Sequence, residues 1–179
     1  MLAYLFVLFA VAMRFAIPYM QAHPWHFTPV AASLLFFGAR GSRRQLVIPV
    51  ALLALSDVVL SKFVYHYAMD LSQIVSWGWY AAVILLGTRL GEHSKAWWIA
   101  GCALASSVSF FLISNFSVWA FGTMYPKTGS GLMACYAIGL PYFQREVVGD
   151  LLFTSVFFAI PFLIRLPQTL GQGGGSAAA

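Results

Sequence analysis

The sequence predicts an all-α integral membrane protein with about six transmembrane helices in one bundle. Of the 179 residues, 61% are hydrophobic and only 8% are charged, and the mean hydropathy is +0.82. Soluble domains carry about 25% charged residues, so this chain has too few polar side chains to cover a surface that faces water. The composition therefore excludes a soluble enzyme, a disordered chain and a small disulfide-rich scaffold.

Six apolar stretches are predicted as spans, since a helix needs about 20 apolar residues to cross the hydrocarbon core. The first is interpreted as a span and not as a signal peptide, because no basic segment precedes it and no small-residue cleavage site follows it. The second is short for a full crossing. The predicted spans are residues 1–20, 27–39, 45–67, 71–90, 96–121 and 149–165.

A long outer connection, residues 122–148, is predicted between the fifth and sixth spans. It begins with the turn-rich run YPKTGSG at 125–131, a composition typical of loops. Residues 132–140 are expected to form a short helix against the bundle. Pro141 is then expected to break the chain, because proline lacks the N–H that a continuing helix needs. Long connections without a fold of their own are often functional.

The basic residues predict the orientation, because lysine and arginine are enriched in cytoplasmic loops. Six of them lie on the side shared by the two termini, and four lie toward the other side. Both termini are therefore expected in the cytoplasm. The six are Arg40, Arg43, Arg44, Arg89, Lys95 and Arg165, and the four are Arg14, Lys62, Lys127 and Arg145.

The chain is predicted to hold a single transmembrane domain, residues 1–166, followed by a flexible tail, residues 167–179. The end of the tail, GQGGGSAAA, is a composition typical of flexible linkers and resembles a remnant left after removal of a tag. No basic run is longer than Arg43-Arg44, so nucleic acid is not expected as a partner.

Four polar residues inside the predicted spans mark a candidate site, because ionisable and polar groups are costly in hydrocarbon. Arg14, Asp57, Asn115 and Asp150 lie roughly 18 to 28 Å from the cytoplasmic ends of their helices, at about 1.5 Å per residue. All four therefore fall in the outer half of the membrane. Aromatic and polar residues of the outer loops lie above them, which predicts an outward-facing pocket with aromatic walls and a few polar anchors.

The candidate substrate-binding residues combine this layer with the loops above it. A structural layer of ion pairs, such as Arg14 with Asp57 or Asp150, is the alternative interpretation, and such a pair is also compatible with a pocket. The candidates are Arg14, His26, Asp57, Asn115, Trp119, Tyr125, Lys127, Tyr136 and Asp150.

A metal site has three weaker candidates, His23, His26 and Cys135. The two histidines flank Pro24, and they would share a face only if the loop became helical. Cysteine thiolates bind soft metals, but a buried inert cysteine is much more common. No catalytic constellation is present in the sequence, and neither an enzymatic activity nor a cofactor is predicted.

Several segments together resemble an uncharacterised family of small bacterial membrane proteins. That family is in turn similar to the S components of energy-coupling-factor transporters, which bind vitamins or metal ions from outside. The segments are HFTPVAA (26–32), SD (56–57), SNFSVW (114–119), YPKTGSGL (125–132), CY (135–136) and GDLLF (149–153).

This resemblance implies a six-helix protein of the bacterial inner membrane, with a pocket formed by outer loops and helix ends and a mobile first outer loop. It also implies docking of the first helices, through small-xxx-small surfaces, onto a shared transmembrane partner with ATPases. One cobalamin-binding branch uses a cysteine near the pocket, for which Cys135 is the candidate in this chain.

The function expected from these observations is that of an S-component-like protein, which binds a micronutrient such as a vitamin for uptake. The alternative is a structural subunit of a larger membrane complex with no ligand of its own. An intramembrane enzyme or a metal-dependent redox protein is a third hypothesis, and it depends on His23, His26 and Cys135.

Overall fold

The computed structural model describes residues 1–19, 28–66 and 69–172, with side chains up to residue 164. In these ranges the chain forms six α-helices and no β-strand, so the prediction of an all-α fold is confirmed. The helices are α1 (Leu2–Ala16), α2 (Val30–Arg40), α3 (Val47–Val59), α4 (Leu71–Gly87), α5 (Ala96–Phe121) and α6 (Gly129–Gln172).

Four helical segments are long and apolar enough to cross a membrane. Two of them gain length from short helical turns next to α1 and α3. A 3₁₀ turn continues α1, a second 3₁₀ turn precedes α3, and a π-helix follows α3. α2 and α4 are shorter apolar helices. The four segments are Leu2–Tyr19, Arg43–Val64, Ala96–Phe121 and Gly129–Ile164.

α2 is the central helix of the bundle. All nine of its residues from Val30 to Gly38 are buried, which is the pattern of a helix that other helices surround on every side. α1, α4, α5 and α6 all pack against it. The Ser33 hydroxyl on this helix donates a hydrogen bond of 2.8 Å to the carbonyl of Val30, so α2 leaves little buried polar surface without a partner.

Two glycines bring α2 and α4 into backbone contact. A Cβ atom at Gly38 would lie 2.1 Å from the carbonyl oxygen of Ile84, and a Cβ atom at Gly87 would lie 2.3 Å from the carbonyl oxygen of Leu35. No side chain fits at these distances. The close approach of the two helices therefore requires glycine at both positions, as is common where helices pack in membranes.

The last helix corrects the prediction made for residues 122–148. The structure has no long connection there: residues 122–128 join α5 to α6, and α6 begins at Gly129 and not at residue 149. Pro141 does not break the chain and lies inside the helix. The proline removes one hydrogen bond, the bond that the carbonyl of Ala137 would otherwise accept.

Contacts with α5 on both sides of the proline stabilise the continuous helix. Before it, the Tyr136 hydroxyl donates a hydrogen bond of 2.8 Å to the carbonyl of Leu112. After it, the ring of Phe143 lies 4.7 Å from the ring of Phe111, between centroids. Packing along α5 therefore offsets the free-energy cost of the proline. A rule based on local sequence alone does not include this packing.

An aromatic cluster joins α1, α2 and α6. The rings of Phe6 and Phe157 stack with centroids 4.0 Å apart, and the ring of Phe36 meets Phe6 edge-on at 4.8 Å. The outward faces of the long helices instead carry large apolar side chains that are exposed. Examples are Leu5, Leu8, Leu55, Trp97, Leu104, Leu112, Leu152 and Leu163.

Candidate functional site

An ion pair between α1 and α3 forms one part of the candidate site. The Arg14 guanidinium on α1 contacts the Asp57 carboxylate on α3, and their side chains are only 17% and 12% exposed. Arg14 lies in the last turn of α1, where a cation is favourable because the exposed carbonyls make the helix end negative. The structure therefore brings together two of the predicted site residues.

Two side chains of α4 donate hydrogen bonds to this ion pair. The Tyr80 hydroxyl and the Trp77 indole N–H each donate to Asp57 Oδ2 at 3.1 Å. Arg14 Nη1 also donates to the Ser56 hydroxyl at 3.1 Å and to the Tyr80 hydroxyl oxygen at 3.3 Å. Such charge-assisted bonds offset the cost of burying the two charges. We call these five residues the Arg14 network.

A cavity of about 120 Å³ adjoins the Arg14 network. It lies where α1 ends and α2 begins, and its walls come from five helices and from Thr28, two residues before α2. Two aromatic rings, Trp79 and Phe110, lie with their centroids 4.7 Å apart and their planes tilted by 50°. The cavity is lined by Arg14, Thr28, Val30, Ala31, Trp79, Tyr80, Phe110, Glu146 and Asp150.

Two carboxyl groups on α6 also line this cavity. Glu146 and Asp150 are four residues apart, so they lie on the same face of the helix. Asp150 is only 3% exposed, and its Oδ2 accepts a hydrogen bond of 2.7 Å from the Ser107 hydroxyl. Asp150 was predicted as a site residue, and the structure places it in the same cavity as Arg14.

Three other predicted residues lie in the last turn of α5 or in the connection to α6, and not among the residues that line the cavity. The Lys127 ammonium contacts the carbonyl of Trp119 and, at 2.5 Å, the carbonyl of Gly122. These carbonyls belong to the end of α5, where they lack helical partners. The Trp119 indole donates to the carbonyl of Pro126 at 2.9 Å, and Tyr125 is half-buried in the same turn.

Asn115 and Tyr136 contribute to the packing of α5 against α6. The Asn115 side-chain amide donates a hydrogen bond of 2.8 Å to the carbonyl of Phe111. A Cβ atom at Gly139 on α6 would lie 2.5 Å from the amide oxygen of Asn115, so the two helices are in close contact there. The substrate-binding role predicted for these two residues stays a prediction, and the geometry gives each a structural partner.

Within the described ranges, the structure does not place the metal candidates in a metal site. Cys135 is buried, and its thiol donates a hydrogen bond of 3.3 Å to the carbonyl of Asn115. His23 and His26 lie outside the described residues. Among the described residues, no group of three or more histidine, cysteine or acidic side chains could hold a metal ion.

Sequence reasoning missed Glu146, Trp77 and Tyr80. Glu146 falls in the segment that was predicted as a loop. Its four-residue spacing from Asp150 therefore could not indicate that the two carboxyl groups share a helical face. Trp77 and Tyr80 are three residues apart inside a span, a spacing that places both on one helical face. Because Asp57 was predicted on a neighbouring span, this three-residue spacing was the sequence signal that could have identified Trp77 and Tyr80 as site residues.

A wider groove, of about 480 Å³, lies at the opposite end of the bundle. Its polar groups are Arg40 and Glu92, whose side chains form an ion pair at 3.6 Å and are 25% and 60% exposed. Charged groups as exposed as these need no ligand to compensate them. The smaller cavity is therefore the better candidate, since Asp150 is buried and Arg14 and Glu146 are at least half-buried.

Residues 1–170 match the family described as Family of unknown function (DUF6580). No curated protein and no solved structure matches the chain.

Proposed function

Since the chain belongs to the DUF6580 family, whose function is unknown, we propose a function from its own site. The protein is a membrane-embedded binding protein that takes up a small solute through the cavity beside the Arg14 network. One observation carries the proposal: Arg14, Glu146 and Asp150 surround a cavity inside a bundle of apolar helices. Polar groups inside such a bundle are costly, and in membrane proteins they mark solute and ion pathways.

The proposal includes a location in the bacterial inner membrane, with both termini in the cytoplasm. Four helices of sufficient length and apolar character support it, as do the exposed leucines on the outward faces of the bundle. The basic residues concentrate on the side of the two termini, which favours a cytoplasmic position for that side. In this orientation the cavity lies in the outer half of the membrane.

The size of the cavity favours a solute smaller than a vitamin. A volume of about 120 Å³ accommodates about four water molecules, at roughly 30 Å³ each. Sites for drug-sized ligands usually measure about 300–1,000 Å³. The proposed substrate is therefore a small micronutrient-like solute. Uptake against a gradient requires energy, which in this proposal a transmembrane partner with ATPases supplies.

The test uses three solutes of similar size and different charge: methylammonium, acetate and acetamide. Ligand that binds the folded state raises the melting temperature, by an amount that grows with its concentration over Kd. We expect at least one of the three to stabilise the detergent-purified protein. Two variants fill the cavity, Thr28→Leu at its edge and Ala31→Leu in its wall, and both should lose the effect.

Lys127→Met is the matched control, because Lys127 lies at the turn after α5 and outside the cavity. It is expected to keep the response of the unmodified protein. If none of the three solutes stabilises the protein, or if the filled variants respond like the control, the proposal is wrong. The Arg14 network would then be a structural element of a subunit that binds no solute.

A further inference from the structure

We propose that the solute is a small organic cation with an ammonium group, held between the Glu146 and Asp150 carboxylates and the aromatic walls of the cavity. This inference rests on the proposed function and specifies the class of its substrate. It follows from the charges of the groups that line the cavity, from the partners of each group and from the character of the walls.

When Glu146 and Asp150 are both ionised, the charges around the cavity do not balance. Arg14 is the basic residue among the groups that line it, and its charge is compensated by Asp57. Glu146 and Asp150 then remain, and neither forms an ion pair with a described side chain. Buried charges in membrane proteins are normally paired. A cationic solute supplies the missing partner, whereas an anion would add to the excess of negative charge.

The two carboxylates also retain capacity to accept hydrogen bonds. Asp150 accepts one bond from a described residue, from Ser107 to Oδ2, and its Oδ1 has no described donor. Glu146 accepts none within the part of the chain that the structure describes, although it is at least half-buried and lines the cavity. An ammonium group has three N–H donors. It can therefore bond to both carboxylates, which lie one helical turn apart on α6.

The walls favour an organic cation over a metal ion. Trp79, Tyr80 and Phe110 line the cavity, and aromatic rings attract cations of low hydration through their negative faces. Val30 and Ala31 add apolar surface that suits a methyl or ethyl group. Hard metal ions instead prefer six or more oxygen ligands, or retain several waters. Two carboxylates in a cavity with three aromatic walls do not provide that environment.

The test measures the affinity of methylammonium by isothermal titration calorimetry on the purified protein. Sodium chloride, sodium acetate and acetamide are titrated under the same conditions. We expect methylammonium to bind at least tenfold more tightly than acetamide, and acetate and sodium to give no saturable heat. Glu146→Gln and Asp150→Asn are each expected to weaken methylammonium binding at least tenfold, because each removes a carboxylate charge with little change in shape.

Glu92→Gln is the matched control, since it makes the same chemical change at the only other glutamate of the chain, at the opposite end of the bundle. It should bind methylammonium like the unmodified protein. If Glu146→Gln and Asp150→Asn also bind it unchanged, or if Glu92→Gln weakens it equally, the carboxylates do not select the solute and the inference is overturned.

The outcomes for the other solutes separate this inference from the proposed function. Tight binding of acetate or acetamide, lost in Ala31→Leu, would keep the cavity as a binding site and overturn the ammonium assignment. Equal binding of sodium and methylammonium would also overturn it, because the organic group would then contribute nothing. Absence of binding by every solute would contradict both the inference and the proposed function.

Discussion

At the scale of single residues, the Arg14 network shows how two charges remain buried between apolar helices. Asp57 accepts hydrogen bonds from Trp77 and Tyr80 in addition to its contact with Arg14. Removing one partner of such a pair leaves an uncompensated charge, which is more costly than the pair itself is stabilising. The network therefore fixes the relative positions of α1, α3 and α4, and it holds one wall of the cavity in place.

Arg14→Met is predicted to destabilise the protein by about 3 kcal/mol, because the Asp57 carboxylate loses its cation. Arg14→Met combined with Asp57→Leu should be more stable than Arg14→Met alone, since neither charge then remains. The measurement is the free energy of unfolding in detergent. Arg89→Met is the control, because Arg89 is exposed. Equal stability of Arg14→Met and Arg89→Met would show that the network contributes nothing to folding.

At the scale of helices, the glycine contact between α2 and α4 decides how closely the bundle packs. Gly38 faces the carbonyl of Ile84, and Gly87 faces the carbonyl of Leu35. Short distances between backbones bring many weak contacts into range, which stabilise helix pairs in lipid where no hydrophobic effect operates between them. The same contact positions Trp79 and Tyr80 of α4 beside the start of α2, where the cavity lies.

Gly38→Ala and Gly87→Ala are each predicted to destabilise the protein by about 1–3 kcal/mol, the usual cost of overpacking. Gly78→Ala, in α4 as well, is the matched control. A Cβ atom at Gly78 meets no atom within 4 Å, and alanine favours a helix by about 1 kcal/mol over glycine. The melting temperature of Gly78→Ala in detergent should therefore equal or exceed that of the unmodified protein. A similar loss in all three variants would contradict this account.

At the scale of the whole molecule, the order of six helices places the connections alternately at the two ends of the bundle. The connection between α4 and α5 lies at the same end as the start of α1, and the connection between α5 and α6 lies at the other end. The proposed membrane orientation therefore assigns the first connection to the cytoplasm and the second to the outside. The cavity lies toward the end predicted to face outward.

Single cysteines at these two connections test the orientation. Ser94→Cys and Thr128→Cys are predicted to react with a membrane-impermeant maleimide from opposite sides of reconstituted or cellular membranes. Ser94→Cys should react only after the cytoplasmic side is exposed, and Thr128→Cys should react in intact cells. Cys102 and Cys135 are buried, so the unmodified protein serves as the unlabelled control. Labelling of both positions from one side would refute the proposed topology.

Some features of this protein were predictable from its sequence because they depend on composition and local pattern. The all-α class follows from long apolar stretches with few charges. The presence of Arg14, Asp57 and Asp150 inside those stretches follows from counting along them. A rise of about 1.5 Å per residue then gives their depth, because every residue of a helix advances by the same amount.

The pairing of those residues depends on helix rotation and on long-range packing. Asp57, and not Asp150, forms the ion pair with Arg14, since α1 packs against α3. Trp77 and Tyr80 of α4 donate hydrogen bonds to the same carboxylate. Lys127, Trp119 and Asn115, which were predicted as site residues, contact backbone carbonyls of α5 or the turn that follows it.

The continuation of α6 through Pro141 is the clearest case of tertiary control. Proline predicts a break because it removes one local hydrogen bond, and local reasoning includes only that loss. The structure adds the contacts of Tyr136 and Phe143 with α5, which outweigh it. That continuity places Glu146 one turn from Asp150. The sequence alone thus determined that Arg14, Asp57 and Asp150 enter the bundle. The packing of distant helices added Glu146 to them and decided which of these residues line the same cavity.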